Sequence, residues 1–314
     1  MQKLIHPLVS IIVITYNSSK YVLETLESAK AQTYQNIELI VSDDCSTDNT
    51  VQICRNWIQE NKEKFIRTEL LTVEENTGIS PNCNRGAFKA TGEWIKLIAG
   101  DDRLKNNCID EFVKATQNND SMLFLSGYLP FSNETELDPM IPDKKMFNCN
   151  PKKQLKKLMI KGATIAGFTF FINGNVLRKL NGYSEKYLFC EDTPLAIKFL
   201  KNGFRMDLVP QILFEYREHN EGISTSQNSR FTSAFNNHFV EEVFPLLKSH
   251  RMYLYLWHYK LRFYISKKLK ANNNNIVCHI IIAFIKLLDP IQIYNKFRSI
   301  LNIAPLYSDH VIKL

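Results

Sequence analysis

The chain is expected to fold as an α/β protein on a mostly parallel sheet, and three observations predict this. Val9 to Ile14 is an apolar run rich in β-branched residues, the pattern of a strand buried on both faces. A second such run, Ile37 to Val41, follows after a stretch with helical spacing. Each run ends in polar residues, Thr15-Tyr16-Asn17 and Asp43-Asp44, followed by helix-starting chemistry at Ser18-Ser19 and Ser46-Thr47-Asp48. Strands that deliver polar groups at their carboxyl ends, with helices between, define the crevice where open α/β sheets bind ligands.

Taken in order, strands are expected over Val9–Thr15, Ile37–Ser42, Phe65–Val73 and Glu93–Ala99. Helices are expected near Lys20–Gln32, Thr50–Asn61 and Ser80–Ala90. From Ser121 the pattern changes, with strands at Met122–Tyr128 and Thr164–Phe171. Between them Pro130 to Pro151 is polar and holds four prolines, which predicts a long loop able to act as a lid or acceptor rim. A helix then begins near Glu191 or Asp192 and stops at Asn202-Gly203, a good C-cap. A last strand spans Met206–Tyr216. Beyond His219 the chain is turn-rich to about Arg230 and helical afterwards, with a break at Asn272 to Asn275.

Composition narrows the function classes. The 314 residues suffice for one large core or two modest ones. The seven cysteines are odd in number and never spaced C-x-x-C, so neither a zinc site nor a disulfide framework is expected, and a reducing cytoplasm fits best. Met1 to Pro7 lacks the apolar segment of a signal peptide. The net charge of +7 is concentrated, because Leu246 to Leu288 contains no acid but eight Lys and Arg residues interleaved with Tyr253, Tyr255, Trp257, Tyr259, Phe263 and Tyr264. That stretch suits an anionic membrane surface, and less well nucleic acid; a helical hairpin packing some aromatics on the core is the structural alternative. The apolar run Ile276 to Leu288 is shorter than the roughly 20 residues needed to span a bilayer.

Four groups at strand or helix ends carry candidate chemistry. Tyr16 is placed to lay its ring on a planar base, with Thr15 and Asn17 beside it, although Asn17 equally suits a helix N-cap. Asp43-Asp44 offers acceptors to a uracil-type N–H and a ribose hydroxyl, or a cap for the next helix. Asp101-Asp102, after Ala99-Gly100, is costly at a buried strand end unless it meets a cation or donors, and Mn²⁺ or Mg²⁺ held with diphosphate oxygens meets that need. Glu191-Asp192 stands at a helix start, where an acid caps or acts as general base for a hydroxyl.

Together these segments resemble the inverting family 2 glycosyltransferases of the GT-A fold. The resemblance is carried by Ser10-Ile-Ile-Val-Ile-Thr-Tyr-Asn17, Asp43-Asp-Cys-Ser-Thr-Asp48, Asn76-Thr-Gly78, Asn84-Arg-Gly86, Thr91-Gly-Glu-Trp94, Gly100-Asp-Asp102, Glu191-Asp192 and Arg217-Glu-His219. It covers roughly residues 8 to 225, and order and spacing carry it rather than any single motif. It implies a GT-A domain over 1–225, with a nucleotide-sugar half to 115 and an acceptor half from 116, followed by a helical extension over 226–314.

The resemblance further implies that Tyr16 stacks on the nucleobase, Asp44 reads it beside Asp43, Asp101 holds the ribose and Asp102 the metal. Asn76 joins the nucleotide site, Arg217 or His219 steadies the diphosphate, and Asp192 is the base with Glu191 beside it, the reverse being open. A nucleotide-sugar donor, most simply a uridine one, and a glycan acceptor on a lipid diphosphate are implied, as in bacterial polysaccharide assembly. The expected location is cytoplasmic, with peripheral attachment to the inner face of the plasma membrane through 246–288; oligomeric state is open. Three positions depart from the family pattern. Ala99 replaces the first aspartate of aspartate-x-aspartate. Cys45 replaces a glycine, so no left-handed backbone is expected there. Cys83 replaces an arginine, so no arginine of that helix is assigned to the nucleotide.

Rival readings are a sugar-phosphate nucleotidylyltransferase, a dinucleotide dehydrogenase and a non-catalytic scaffold of the same fold. The first normally carries a glycine- and arginine-bearing loop that Thr15 to Ser19 lacks, and the second needs G-x-G-x-x-G at the same place. The retained Asp101, Asp102, Glu191 and Asp192 speak against the third.

Overall fold

The structure, a computed structural model, describes residues 6–117, 119–132, 135–160, 165–219 and 229–270, together with 293 and 296. The expected break at Asn272 to Asn275 and the apolar run Ile276 to Leu288 lie outside the described residues.

Strand β1 (Val9–Thr15) occupies the middle of the first half of the sheet, because nearly every side chain in it is buried. It pairs in parallel with β2 (Ile37–Asp43) on one side and β4 (Trp94–Ala99) on the other, and β2 pairs with β3 (Arg67–Leu71). Helices α1 (Val22–Lys30), α2 (Thr50–Asn61) and α3 (Ile79–Lys89) make the crossovers. After β4 come the two-residue β5 (Arg103–Leu104) and α4 (Cys108–Thr116).

The second half adds β6 (Leu123–Ser132), β7 (Thr135–Glu136), α5 (Pro151–Ile160), β8 (Phe171–Asn173), α6 (Gly174–Lys179), α7 (Asp192–Lys201) and β9 (Met206–Arg217). The sheet runs β3-β2-β1-β4-β8-β6-β9-β5, with β7 on β6. Strand β8 is antiparallel to both neighbours, while β6 and β9 are parallel to each other. The carboxyl ends of β1, β2, β4, β6 and β9 therefore open on one edge. Helices α8 (Ser229–His238), α9 (Phe244–Ser249) and α10 (Tyr253–Lys270) follow, with a π-helical turn, Phe239–Val243, between the first two.

Each face of the sheet has its own core. On one, α1, α2 and α4 cover Val9, Ile11, Val13, Leu39 and Phe171, with Trp94 and Phe112 both stacked on Phe171. On the other, α3, α5 and α7 cover Ile12, Ile40 and Ile172, and the C-terminal helices add Phe239, Val243, Leu247 and Tyr259 to that same core.

Three expectations are corrected. The strand expected over Thr164–Phe171 is instead a 3₁₀ turn, Gly167–Thr169, followed by the short β8. The expected 130–151 loop is partly ordered: β6 runs on to Ser132, β7 and a 3₁₀ turn at Lys144–Met146 follow, and Pro151 begins α5. A proline tolerates the first helical turn, where its missing N–H costs nothing. The first helix starts at Val22 rather than Lys20, because the N–H groups of Ser18 and Ser19 are taken by Thr50 and Asp48 across the crevice.

The Thr91-Gly-Glu-Trp94 motif is explained at the opposite edge. Glu38 is fully buried and accepts from Ser10 Oγ at 2.5 Å, Thr91 N at 2.5 Å, Gly92 N at 3.0 Å and Arg67 Nη1 at 3.0 Å. A Cβ at Gly92 would fall 2.4 Å from Ser10 Oγ, so glycine is required. Burial alone would raise the Glu38 carboxyl, but the hydrogen bonds from Ser10, Thr91 and Gly92 outweigh it and hold it below its ordinary 4.5. Glu38→Ala strands those donors and is expected to cost about 3–5 kcal/mol in urea unfolding. Because the folded-state value is the lower one, this contribution is present above about pH 4.5 and fades as pH falls through the folded value. Acid titration of stability in the wild type and in Glu38→Gln checks the sign, since the variant lacks that component.

Candidate active site

The edge where the parallel strands end gathers all four candidate groups, three of them acid pairs, or their supports. At β2 the two consecutive acids point in opposite directions. Asp43 is 1% exposed and accepts from Thr15 Oγ1 at 2.7 Å, Ser46 N at 2.8 Å and Ser46 Oγ at 2.6 Å. Asp44 is 2% exposed and accepts from Thr77 N and Oγ1, from Gly78 N, and from Arg85 Nη2 at 3.1 Å. Four donors fill the acceptor capacity of one carboxylate. Asp43 and Asp44 thus hold three loops together; Asp44 has its acceptor sites filled, whereas Asp43 takes three donors, one of them on Oδ2.

Arg85 was not expected here. It lies on α3, two residues past Cys83, and reaches Asp44 from that helix because Gly86 beside it presses α3 onto Ile12, where a Cβ would meet Ile12 Cγ2 at 2.4 Å. Cys45 also overturns its expectation, with φ of +66°. Cys45 stands in the turn that brings Ser46 N–H back onto Asp43 Oδ2, and a left-handed non-glycine residue there costs about 1–2 kcal/mol. Gly78, at φ +98°, completes the Asp44 loop.

Tyr16 is half exposed beside these loops, and Asn17 is left-handed at φ +51°. Asn17 does not cap a helix. Its N–H donates to Ser46 Oγ at 2.8 Å and its side chain accepts from Thr47 N at 2.8 Å, which zips the β1 turn to the β2 turn. Asn76 is exposed on the rim beside Thr77.

At the end of β4, a Cβ on Gly100 would meet Thr15 Cγ2 at 2.8 Å, so the backbone passes close under the β1 turn. Burial then separates the two acids. Asp101 has a side chain 31% exposed, with Oδ2 3.0 Å from His219 Nε2. Asp102 is 2% exposed; its Oδ1 accepts from Arg217 N at 2.9 Å and its carbonyl from Thr25 Oγ1 at 2.7 Å. Burial first, and then the charge of Asp101, push the Asp102 carboxyl well above its ordinary range. The open carboxylate with an imidazole partner is Asp101, not the expected metal ligand Asp102.

Arg217 is a strut as well. It is 7% exposed, lies over the rings of Tyr21 (4.4 Å) and Phe131 (4.5 Å), pairs with Glu24 and donates from Nε to the Asp101 carbonyl at 2.8 Å. Its guanidinium is bonded to the frame through Glu24 and the Asp101 carbonyl.

Glu191 and Asp192 open α7, both partly buried. Asp192 Oδ1 accepts from Thr193 N at 2.6 Å, and Gly167 packs directly against its side chain. Gly167 is obligatory, because a Cβ there would lie 2.1 Å from Asp192 Cβ. Burial, with the charge of Asp192 second, lifts Glu191 to about 7; burial lifts Asp192 too. The segment before them is tied to the nucleotide-side loops, since Ser80 donates to the carbonyls of Tyr187 (3.0 Å) and Leu188 (3.2 Å).

The two acid pairs share this edge through one bridge. Tyr216 precedes Arg217, which bonds Asp101 and Asp102, and its ring stacks at 4.7 Å on Phe168, which follows Gly167 at Asp192. The structure does not place them on opposite surfaces. A cavity of about 680 Å³ lined by Met122, Cys149 and Arg205 lies at the other edge, where β6 and β9 begin, and holds none of these groups. The glycine contacts were not foreseen. Gly167 gave no motif signal, although a glycine inside an apolar stretch marks a close backbone approach.

The family model for glycosyl transferase family 2 matches residues 10–180. The chain is 36% identical over 121 residues to glycosyltransferase GlyG of Streptococcus pneumoniae, which is 38% of this chain and 39% of that protein. It is 26% identical over 222 residues to TuaG of Bacillus subtilis, a glycosyltransferase provisionally assigned to teichuronic acid biosynthesis, covering 70% of this chain and 83% of that one. Among solved structures it resembles Staphylococcus aureus TarS 1-349 in complex with UDP-GlcNAc, with TM-score 0.58, 22% identity, and coverage of 74% of this chain and 66% of that chain. The motif order, the sheet with its edge of carboxylates and the family match agree, and the chain belongs to glycosyl transferase family 2.

Proposed function

We propose that the protein transfers a sugar from a nucleotide diphosphate, most simply a uridine one, to a glycan hydroxyl in surface polysaccharide assembly, with inversion at the anomeric carbon. One observation carries this reading: an open acid–imidazole pair, Asp101–His219, and an acid pair of raised proton affinity, Glu191–Asp192, stand on the same sheet edge. The relationship to TuaG and the UDP-GlcNAc held by TarS support it.

In this reading Tyr16 stacks on the nucleobase, and the turns pinned by Asp43 and Asp44 wall the base and ribose, with Asn76 at the rim. Asp101 and His219 fit a divalent cation, since one carboxylate oxygen and one imidazole nitrogen suit Mn²⁺ better than Mg²⁺. Among the described residues no group of three or more His, Cys, Asp or Glu side chains could hold a metal alone, so the diphosphate and water complete the set. Bound there, the cation supplies neutralisation of charge on the departing diphosphate. Asp192, oriented by Gly167 and Thr193, takes the proton from the acceptor hydroxyl as that oxygen attacks from the face opposite the diphosphate. One C–O bond forms, the bond to the diphosphate oxygen breaks, and the anomeric configuration inverts. Burial keeps the proton affinity of Asp192 high, and the charge of Asp192 in turn raises that of Glu191 beside it.

The exposed face of α10 suits a lipid-linked acceptor. Tyr253, Leu254 and Trp257 are each more than half exposed, and the surrounding sequence from Leu246 to Leu288 has no acid. No helix among the described residues is long and apolar enough to cross a membrane. Apolar side chains flanked by lysines suit the interface of an anionic bilayer.

Three outcomes are expected. Asp192→Asn lowers kcat by roughly 10²- to 10⁴-fold with nucleotide binding kept. The wild-type kcat rises with pH as the buried Asp192 loses its proton, because the base must be deprotonated, and Glu191→Gln removes the coupled titration of its neighbour near 7 from the profile. A pH–rate profile unchanged in Glu191→Gln would refute the pairing. Second, Asp101→Asn weakens Mn²⁺-dependent donor binding in calorimetry more than Asp102→Asn weakens it in folded protein; the reverse order restores Asp102 as the ligand. Third, the full chain sediments with phosphatidylglycerol vesicles but not with phosphatidylcholine alone, and Trp257→Glu abolishes this. Equal sedimentation of parent and variant rules out α10 as the contact. Release of nucleotide from a panel of nucleotide sugars tests the reading as a whole and names the donor.

A further inference from the structure

Three partly exposed aromatic rings lie between the two acid pairs and have no part in the chemistry above. Phe168 stacks on Tyr216 with centroids 4.7 Å apart and planes 19° from parallel, and Tyr128 meets Phe168 edge-on at 4.8 Å. Tyr128 and Tyr216 are 6.2 Å apart at 76°. The group rests on Phe214, which is fully buried, with centroids of Phe168 and Phe214 5.1 Å apart. Its position is fixed from below, since the buried Lys96 ammonium donates to the Phe168 carbonyl at 2.5 Å and sits 4.7 Å from the Phe214 centroid.

We infer that Tyr128, Phe168 and Tyr216 form a platform for the acceptor sugar, against which the C–H face of a neutral pyranose stacks. This rests on the transferase reading and names a subsite within it. Flat rings give a sugar a large, rigid contact with little loss of conformational freedom, and a site that combines such rings with a few polar groups is the usual makeup of a small-ligand pocket. Placement separates acceptor from donor. The nucleotide loops hang from β1 and β2, whereas the platform rises from β6, β9 and the turn before β8, on the far side of β4 and Asp101. Phe168 adjoins Gly167, which packs directly against the Asp192 side chain, so a sugar on the rings lies next to the base. A core rim made only for packing has no need of three rings left partly open at this point.

Saturation-transfer NMR on the full chain with UDP and Mn²⁺ tests the platform. The probes are methyl pyranosides of gluco, galacto, manno and 2-acetamido configuration. Ring irradiation is expected to saturate the C–H protons of one sugar face in at least one probe. Phe168→Leu and Tyr216→Leu, which keep apolar bulk but lose the flat ring, are expected to weaken that binding by roughly tenfold each. Circular dichroism and melting confirm that the variants are folded, and Tyr216→Phe is expected to restore binding. Undiminished saturation in both leucine variants overturns the inference, and so does a wild type that saturates none of the probes. A wild type that binds pyranosides through these rings yet releases no nucleotide from any donor keeps the platform and sinks the transferase reading.

Discussion

Carboxylates placed at the end of a buried strand must be met by donors, and that requirement organises the ligand edge of this protein. Asp43 and Asp44 are consecutive and almost wholly buried, and between them they accept hydrogen bonds from Thr15, Ser46, Thr77, Gly78 and Arg85. Removing a charge of this kind from water costs several kcal/mol unless it is matched. The matching is what draws the β1 turn, the β2 turn and the loop before α3 into one wall. The left-handed Cys45 is the local cost of bringing Ser46 back onto Asp43.

Burial then sorts the acids by task. Asp43, Asp44 and Asp102 are enclosed and bonded to the frame, while Asp101 keeps an open face toward His219. Glu191 and Asp192 sit between these limits, partly buried and with raised proton affinity, the condition a base needs if it is to titrate near neutral pH. Sequence adjacency hides this division, since within each pair the residues look interchangeable.

The parallel half was legible because its signals are local. Val9–Thr15 and Thr50–Asn61 have the bounds their hydrophobic patterns predict, and the acids stand where strand ends place them. What escaped depends on distant contacts. The turn at Gly167–Thr169 reads as strand from its apolar, β-branched surroundings, but the approach of Asp192 and the carbonyl demand of Lys96 bend it. Helix α5 was hidden by four prolines that argue for loop, although one of them serves as a helix start. Arg85 escaped because its role depends on how closely Gly86 lets α3 approach β1, which no spacing reveals. The same holds for Arg217, legible as a charge at a strand end but not as one already enclosed by Tyr21 and Phe131.

Lys96 gives this edge an unexpected mechanical character. Its ammonium has no exposure to solvent and is satisfied by the carbonyls of Leu97, Phe168 and Phe170, with burial lowering its proton affinity to about 8. If the 167–169 turn swung away, a desolvated cation would be left behind with too few partners. The turn is therefore restrained by the interior rather than by its own chain, and rearrangement during a catalytic cycle must come from segments without such an anchor.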